Sequence, residues 1–282
     1  MSAQAMAGKT VLITGANSGI GKITAAALAG MGASVVLACR REEAAREAME
    51  DIRREHPEAQ LEFLQLDLAN LKKVRAAANE FLARHKTLDV LINNAGLANV
   101  RRQTSADGFE LTFATNHLGP FLLTELLLPA VRAVQGRIIN IASDAHRIGK
   151  MHWRDLHFHS GYFVMRAYAQ SKLANILFTR ELARREEAKG VAVNCLHPGA
   201  VATNIWPDAK WYEKLFSRFL KLFLISPEQG ARTSIWLASN AIGANVTGGY
   251  FEKCSEKTPS KAARDDQAAE KLWQISEELI RD

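Results

Sequence analysis

The sequence predicts an α/β protein built on one doubly wound parallel sheet of about seven strands, with helices on both faces. Three observations carry this reading. Short β-branched and aliphatic runs alternate along the chain with longer stretches of helical composition. A glycine turn, Gly15, Gly19 and Gly21, joins the first apolar run to the first helix. Small and polar residues recur where apolar runs stop, at Asn94, Ser143 and Pro198, and strand C-terminal ends are where open α/β sheets place their ligands. The 282 residues are 48% hydrophobic, enough for a sizeable core, and no Pro/Gly/Ser-rich or charge-dense linker interrupts them. Residues 1–282 are therefore read as a single domain.

Val11-Leu12-Ile13 is the first strand, and Lys22 to Leu28, rich in Ala and Leu, the first helix. Ala33 to Cys39 is a buried second strand. A polar helix from Glu42 to Glu55 stops before Pro57, and Leu61 to Leu66 alternates as a third strand closed by Asp67-Leu68. A further helix runs to His85, and Leu88 to Ile92 is the fourth strand, followed by Asn93-Asn94-Ala95-Gly96. Thr104 to Leu128 reads as a long helical region broken near Gly119-Pro120, with Asn116 inside it just before the break. Gly136 to Ala142 is a fifth strand ending in Ser143. Asp144 to Tyr162 is irregular, and a helix spans about Met165 to Ala188. Val191 to Leu196 is the sixth strand, leading to His197-Pro198-Gly199. Residues 205–225 interleave aromatics, among them Trp206, Trp211 and Phe216, with cations, and we expect them to cover an apolar substrate as a lid. Ser226 and Pro227 have the residue types of a helix cap and first turn, Thr247 to Phe251 is the seventh strand, and the tail from Lys261 is helical.

The glycine turn has the form of a pyrophosphate cradle. Gly15 allows the tight turn, Gly19 lets backbone approach phosphate, Gly21 packs helix on strand, and the helix N-terminus offers free N–H groups, with Asn17, Ser18 and Ile20 completing the loop. In dinucleotide folds the tip of the second strand meets the adenine ribose, where a carboxylate suits NAD. Here the tip offers Cys39 and Arg40, and a guanidinium beside Ser18 suits the 2′-phosphate of NADP(H). Asp67, with Leu68, is placed to accept from the adenine amino group, and Asn94-Ala95-Gly96 to run beneath a ribose. Tyr168 and Lys172 stand at i and i+4 on one helix face. A cation one turn away, together with an oxidised nicotinamide, favours phenolate, so Tyr168 is expected to have a lowered pKa with cofactor bound and to exchange a proton with an alcohol or carbonyl oxygen, which Ser143 would hydrogen bond.

Composition narrows the alternatives. The formal net charge is +6, but the cations are scattered among acidic neighbours, as in Arg184-Arg185-Glu186-Glu187, so a solvated surface is expected and nucleic acid is not. Three cysteines, odd in number and far apart, indicate neither disulfides nor zinc, and place the chain in a reducing compartment, read as cytoplasmic. His146, His152, His157 and His159 lack metal-ligand spacing, so no metal is expected. No signal-peptide core and no long uncharged apolar stretch occurs, which leaves peripheral membrane contact and oligomerisation open.

Taken together, the glycine loop, Asn93-Asn94-Ala95-Gly96, Asn116, Ser143, Tyr168-x-x-x-Lys172 and Pro198-Gly199, in this order, resemble the short-chain dehydrogenase/reductase family over nearly the whole chain. Ala38-Cys39-Arg40, Asp107 to Glu110, Asn116-His117-Leu118-Gly119, the long interval from Ser143 to Tyr168 and Ser171 to Asn175 resemble its retinol dehydrogenase-like branch. The resemblance implies a Rossmann-type domain that uses NADP(H) to interconvert lipophilic alcohols and carbonyls. It implies Tyr168 as general acid–base and Ser143 as the group orienting substrate oxygen. Lys172 would bind the nicotinamide ribose, and Asn116 would hold a water linking Lys172 to solvent. Pro198, Gly199, Val201 and Thr203 would contact the cofactor, and Trp206, Trp211 and Phe216 the substrate. A steroid or xenobiotic carbonyl reductase and a non-catalytic NADP(H)-binding sensor or scaffold are the alternatives.

Overall fold

In the computed structural model, which describes residues 4–200 and 225–281, the chain alternates strand and helix from its first element. β1 (Thr10–Thr14), α1 (Gly19–Gly30), β2 (Ser34–Cys39), α2 (Glu42–Glu55), β3 (Gln60–Gln65), α3 (Leu71–Arg84) and β4 (Val90–Asn93) form the first half. The short α4 (Leu111–Phe113), a π-helical stretch (Ala114–Leu118) and α5 (Gly119–Arg132) lead to β5 (Arg137–Ile141). A 3-10 turn (Asp144–Ile148) precedes the long α6 (Val164–Glu186), then come β6 (Ala192–His197), α7 (Pro227–Ser239), α8 (Ile242–Asn245), β7 (Tyr250–Glu252), β8 (Ser255–Lys257) and α9 (Asp266–Leu279).

All eight strands join in one sheet in the order β3-β2-β1-β4-β5-β6-β7-β8. β1 to β7 pair in parallel, as expected for strands linked by helical crossovers, and β1 has β2 on one side and β4 on the other. That reversal of direction opens a crevice above the strand C-terminal ends. Period-two alternation assigns side chains to the two faces. Val11, Ile13, Val35 and Leu37 pack in the core under α1 and α2, and Leu12, Val36 and Leu91 in the core under α3 and α5.

Three details differ from expectation. The eighth strand pairs antiparallel with β7 through a two-residue turn whose Lys253 and Cys254 both have positive φ, 51° and 57°. Such turns normally carry Gly or Asn, and the polar sequence Ser255-Glu256-Lys257 has no strand signature. The helical region begins at Leu111 and not at Thr104. Residues 104–110 form a turn closed by a Thr104–Glu110 bridge, and the Glu110 carboxylate caps α4 by accepting from the Thr112 and Phe113 amides at 2.8 and 2.7 Å. Nor does the helix break at Gly119-Pro120. It widens just before, where the Gly119 N–H reaches the Ala114 carbonyl. Pro120 has no N–H to offer the Asn116 carbonyl four residues back, and a π-helical turn absorbs the mismatch.

Among the described residues, no helix is long and apolar enough to cross a membrane.

Candidate active site

The crevice at the switch point is a cleft of about 1000 Å³. Its floor is the glycine loop. Gly15 and Gly19 have φ of +65° and +54°, where a side chain is strained, and a Cβ on Gly21 would stand 2.5 Å from the Gly15 carbonyl. Ser18 caps α1 in extended conformation but its side chain bonds no amide of the first turn, and that turn contains no acidic residue. An uncapped, uncompensated helix N-terminus facing a cleft is the electrostatic counterpart of a pyrophosphate, so this part of the site fits a dinucleotide.

A clamp ahead of the loop holds the switch point together. The Thr14 hydroxyl accepts from the Asn94 and Ala95 amides at 3.0 and 2.9 Å, while Asn94 Nδ2 donates to the Thr14 carbonyl at 2.8 Å. Sequence reasoning did not assign Thr14 a role, although a threonine directly before the first glycine of the turn is a readable signal. The cleft gathers Gly15, Asn17, Ser18, Gly19, Ile20 and Gly21 with Arg40, Leu68, Asn94, Ala95 and Gly96. From the other half of the sheet it takes Ser143, Tyr168, Lys172, Pro198 and Gly199. It also takes Thr115, Met165 and His197, which the sequence did not single out.

Two expected residues lie elsewhere. Asp67 is not part of the cleft wall; its carboxylate accepts the Ala69 amide at 3.1 Å and stands 3.7 Å from Lys73, so the turn after β3 uses it locally. Asn116 stands behind the wall, 1% exposed, with Oδ1 accepting from Leu97 N–H at 2.9 Å and Nδ2 donating to the Leu97 carbonyl and Ser171 Oγ at 2.9 and 3.0 Å. Its side chain is thus spent on the loop after β4 and on α6, and only its backbone carbonyl, deprived of an i+4 donor by Pro120, suits the expected water. Val201, Thr203, Trp206, Trp211 and Phe216, with the expected lid at 205–225, lie outside the described residues.

Tyr168 and Lys172 share one face of α6 and meet Ser143 from the end of β5. The Lys172 ammonium is 5.7 Å from the centroid of the Tyr168 ring and donates to the Ile141 carbonyl at 2.8 Å. Asn175 donates to the same carbonyl at 3.1 Å and belongs to a buried chain of amides and hydroxyls, Asn175–Thr179–Asn140–Asn93–Thr124, that ties α6 through β5 and β4 to α5. In the protein alone, burial sets the direction of the Tyr168 shift. Burial pushes the Tyr168 phenol up to about 12, and a hydrogen bond with Ser143 only partly offsets it. Burial also pulls the neighbouring Lys172 ammonium down to about 8. Ser143 Oγ also accepts the Ala145 amide at 3.2 Å.

The four histidines are dispersed in structural roles. His146 is buried behind Ser143, His152 lies 4.8 Å from Phe158, and His157 stacks on Phe109 at 5.2 Å with His159 on its edge. Among the described residues no group of three or more His, Cys, Asp or Glu side chains is arranged to hold a metal ion.

Comparison with known proteins agrees with this geometry. The family profile described as short chain dehydrogenase matches residues 9–213. Retinol dehydrogenase 14 of Homo sapiens is 44% identical over 292 residues, covering 98% of this chain and 87% of that protein. A protein of uncharacterised function from Mycobacterium paratuberculosis superposes with a TM-score of 0.81 at 35% identity, covering 99% of this chain and 97% of that one. A chain described as an NAD(P) dependent gluconate 5-dehydrogenase from Beutenbergia cavernae, with bound NADP, superposes at 0.70 with 28% identity, covering 89% of this chain and 97% of that one.

Proposed function

The chain belongs to the short chain dehydrogenase family, and on that premise we propose that it is an NADP(H)-dependent oxidoreductase acting on the CH–OH or C=O group of a lipophilic substrate. The observation that carries the reading is the convergence of Tyr168, Ser143 and Lys172 on one cleft that also holds the uncapped end of α1. A bound nicotinamide dinucleotide supplies or accepts the hydride. The protein's part is orientation and proton transfer. Gly15, Gly19 and Gly21 with the first-turn amides of α1 would hold the pyrophosphate, and Arg40, exposed at the tip of β2, the 2′-phosphate. Bound NADP in the Beutenbergia cavernae chain supports this choice of cofactor. Asn94, Ala95 and Gly96, together with Lys172, Pro198 and Gly199, would line the ribose and nicotinamide end, and Ser143 would hold the substrate oxygen beside the Tyr168 hydroxyl.

With its phenol raised to about 12, Tyr168 is protonated at neutral pH, the form that donates the proton in carbonyl reduction, and the ratio of reduced to oxidised cofactor sets the direction. Retinol dehydrogenase 14 among the relatives supports an apolar, retinoid-like alcohol or aldehyde. The aromatic residues at 205–225 are our candidates for contact with its apolar part, on sequence alone. Three unpaired cysteines support a reducing compartment, and we place the protein in the cytoplasm.

The test is NADPH oxidation by purified protein against retinal, straight-chain aldehydes of increasing length, steroid ketones and small xenobiotic carbonyls. Turnover is expected with apolar aldehydes, and Tyr168→Phe should lower kcat by about 10² or more while NADPH still binds. Full turnover in that variant would overturn the mechanism. Tight NADPH binding with no turnover on any carbonyl would favour a sensor.

A further inference from the structure

His146 is fully buried, three residues beyond Ser143, and both of its ring nitrogens are engaged. Nδ1 lies 2.7 Å from the Ser143 carbonyl oxygen, which cannot donate, so Nδ1 carries the proton. Nε2 lies 3.1 Å from the Ser260 backbone nitrogen, which can only donate, so Nε2 is bare. The two bonds together define a neutral ring in one tautomer, and burial, which pulls the pKa of His146 below the usual imidazole value, keeps it neutral. The His146 N–H also donates to the Ser143 carbonyl, at 3.0 Å, so a single carbonyl is held by both backbone and ring of the same residue. At its far end the ring meets Tyr250 of β7 edge-on, with centroids 5.1 Å apart. Ser260, its other partner, is 114 residues away in the loop ahead of α9, where its hydroxyl accepts the Ala263 amide at 3.3 Å.

Resting on the oxidoreductase reading above, we propose that His146 is a positioning residue for Ser143. Its Nδ1–H holds the Ser143 carbonyl and so sets the direction of the Ser143 hydroxyl toward Tyr168, while Ser260, donating to Nε2, fixes the tautomer that makes Nδ1 the donor. Ser143 stands in extended conformation (φ −162°, ψ 154°) at the junction of β5 and the 3-10 turn, with one side-chain torsion to aim its oxygen. Rotation of its peptide swings that oxygen away from the phenol.

Three variants separate this from simple core filling. His146→Asn places an amide N–H near the position of Nδ1 and loses the acceptor for Ser260. His146→Gln reaches the position of Nε2 and loses the donor to Ser143. His146→Leu loses both. With retinal as probe, His146→Asn should keep kcat within about threefold of wild type, whereas His146→Gln and His146→Leu should lose about a hundredfold, the scale of an ångström-sized misplacement, with NADPH affinity unchanged in all three. Equal losses in the Asn and Gln variants, or losses that follow thermal stability, would overturn the proposal. If His146→Leu does not fold, the Asn and Gln pair still decides. A wild type inert toward retinal and every other carbonyl counts against the oxidoreductase reading, and backbone exchange then tests His146 by itself. The amides at positions 145 and 146 should exchange faster in His146→Gln than in His146→Asn, and equal protection would overturn the assignment. So would ring ¹⁵N shifts of the wild type that showed Nε2 protonated.

Discussion

Lys172 bears an electrostatic penalty that can be read out as stability. It is 3% exposed, and burial pulls its pKa from 10.5 to about 8. Between those values the unfolded chain binds the proton and the folded one does not, so stability rises with pH across that window and is flat below it. Lys172→Met removes the penalty and leaves the Ile141 carbonyl bonded to Asn175. The variant should therefore be more stable than wild type in urea at pH 7, and the difference should shrink steadily from pH 8 to 10. Measurement stops there because the raised phenol of Tyr168, protonated in the fold up to about 12, lowers stability with rising pH beyond its ordinary value of 10. A difference independent of pH would mean that Lys172 titrates normally. Arg40 makes the second prediction at this scale. Loss of a charge-assisted phosphate contact is worth about ten- to a hundredfold in affinity, so Arg40→Ala should weaken NADPH by that factor and leave NADH nearly unchanged. Equal weakening of both would move the 2′-phosphate elsewhere.

At the scale of elements, α9 contributes to the site indirectly. Its Trp273, 4% exposed, packs 4.8 Å from Phe121 of α5 and 5.9 Å from Phe178 of α6, with the Arg185 guanidinium 4.2 Å above its ring. Its Ser276 hydroxyl is 2.8 Å from Nε2 of His117, the residue next to Asn116 in the π-helical turn. The C-terminal helix thus braces the turn that carries Asn116. Trp273→Ala should cost about 3–5 kcal/mol in chemical denaturation, the usual range for an aromatic removed from a core. A cost below 1 kcal/mol would show the helix to be dispensable. α7 offers a calibrated contrast. Ser226 and Gln229 form a reciprocal capping box, with Ser226 Oγ accepting the Gln229 amide at 3.3 Å and Gln229 Oε1 accepting that of Ser226 at 3.2 Å. Ser226→Ala should cost only about 1 kcal/mol.

For the whole molecule, the cleft divides contributions between the two halves of the sheet. The groups proposed to face phosphate come from β1, α1, β2 and β4, and those proposed to react from β5, α6 and β6. A ligand that spans both halves stabilises the fold by mass action. NADPH at 100 times its dissociation constant should add about 2.7 kcal/mol. For a chain of this size that is on the order of 5 °C in Tm. NADH at the same concentration should raise Tm much less, because it lacks the group that Arg40 meets. Equal shifts in a thermal melt would contradict the cofactor choice without touching the fold.

What the sequence determined by itself is what short-range chemistry dictates. The glycine turn, the cap of α7 and the Tyr168–Lys172 spacing depend on residues within one or two turns of each other, and strand alternation follows from burial on two faces. Joint spacing of these motifs was enough to name the fold class and most of the cleft wall. Only the tertiary structure decided the rest, because each remaining feature needs a partner far away in sequence or a competition between energies. Residues 250–257 form a hairpin without turn glycines because β6, more than 50 residues earlier, holds β7 in the sheet and leaves its edge for β8. Asn116 turns inward because Leu97 and Ser171 satisfy its amide. The upward Tyr168 shift in the protein alone comes from burial in the cleft wall, which only the assembled fold defines, whereas the proximity of Lys172 was plain from the i, i+4 spacing. His146 looked like one of four loose histidines, and it is the arrival of Ser260 from 114 residues away that defines its tautomer and its place behind Ser143.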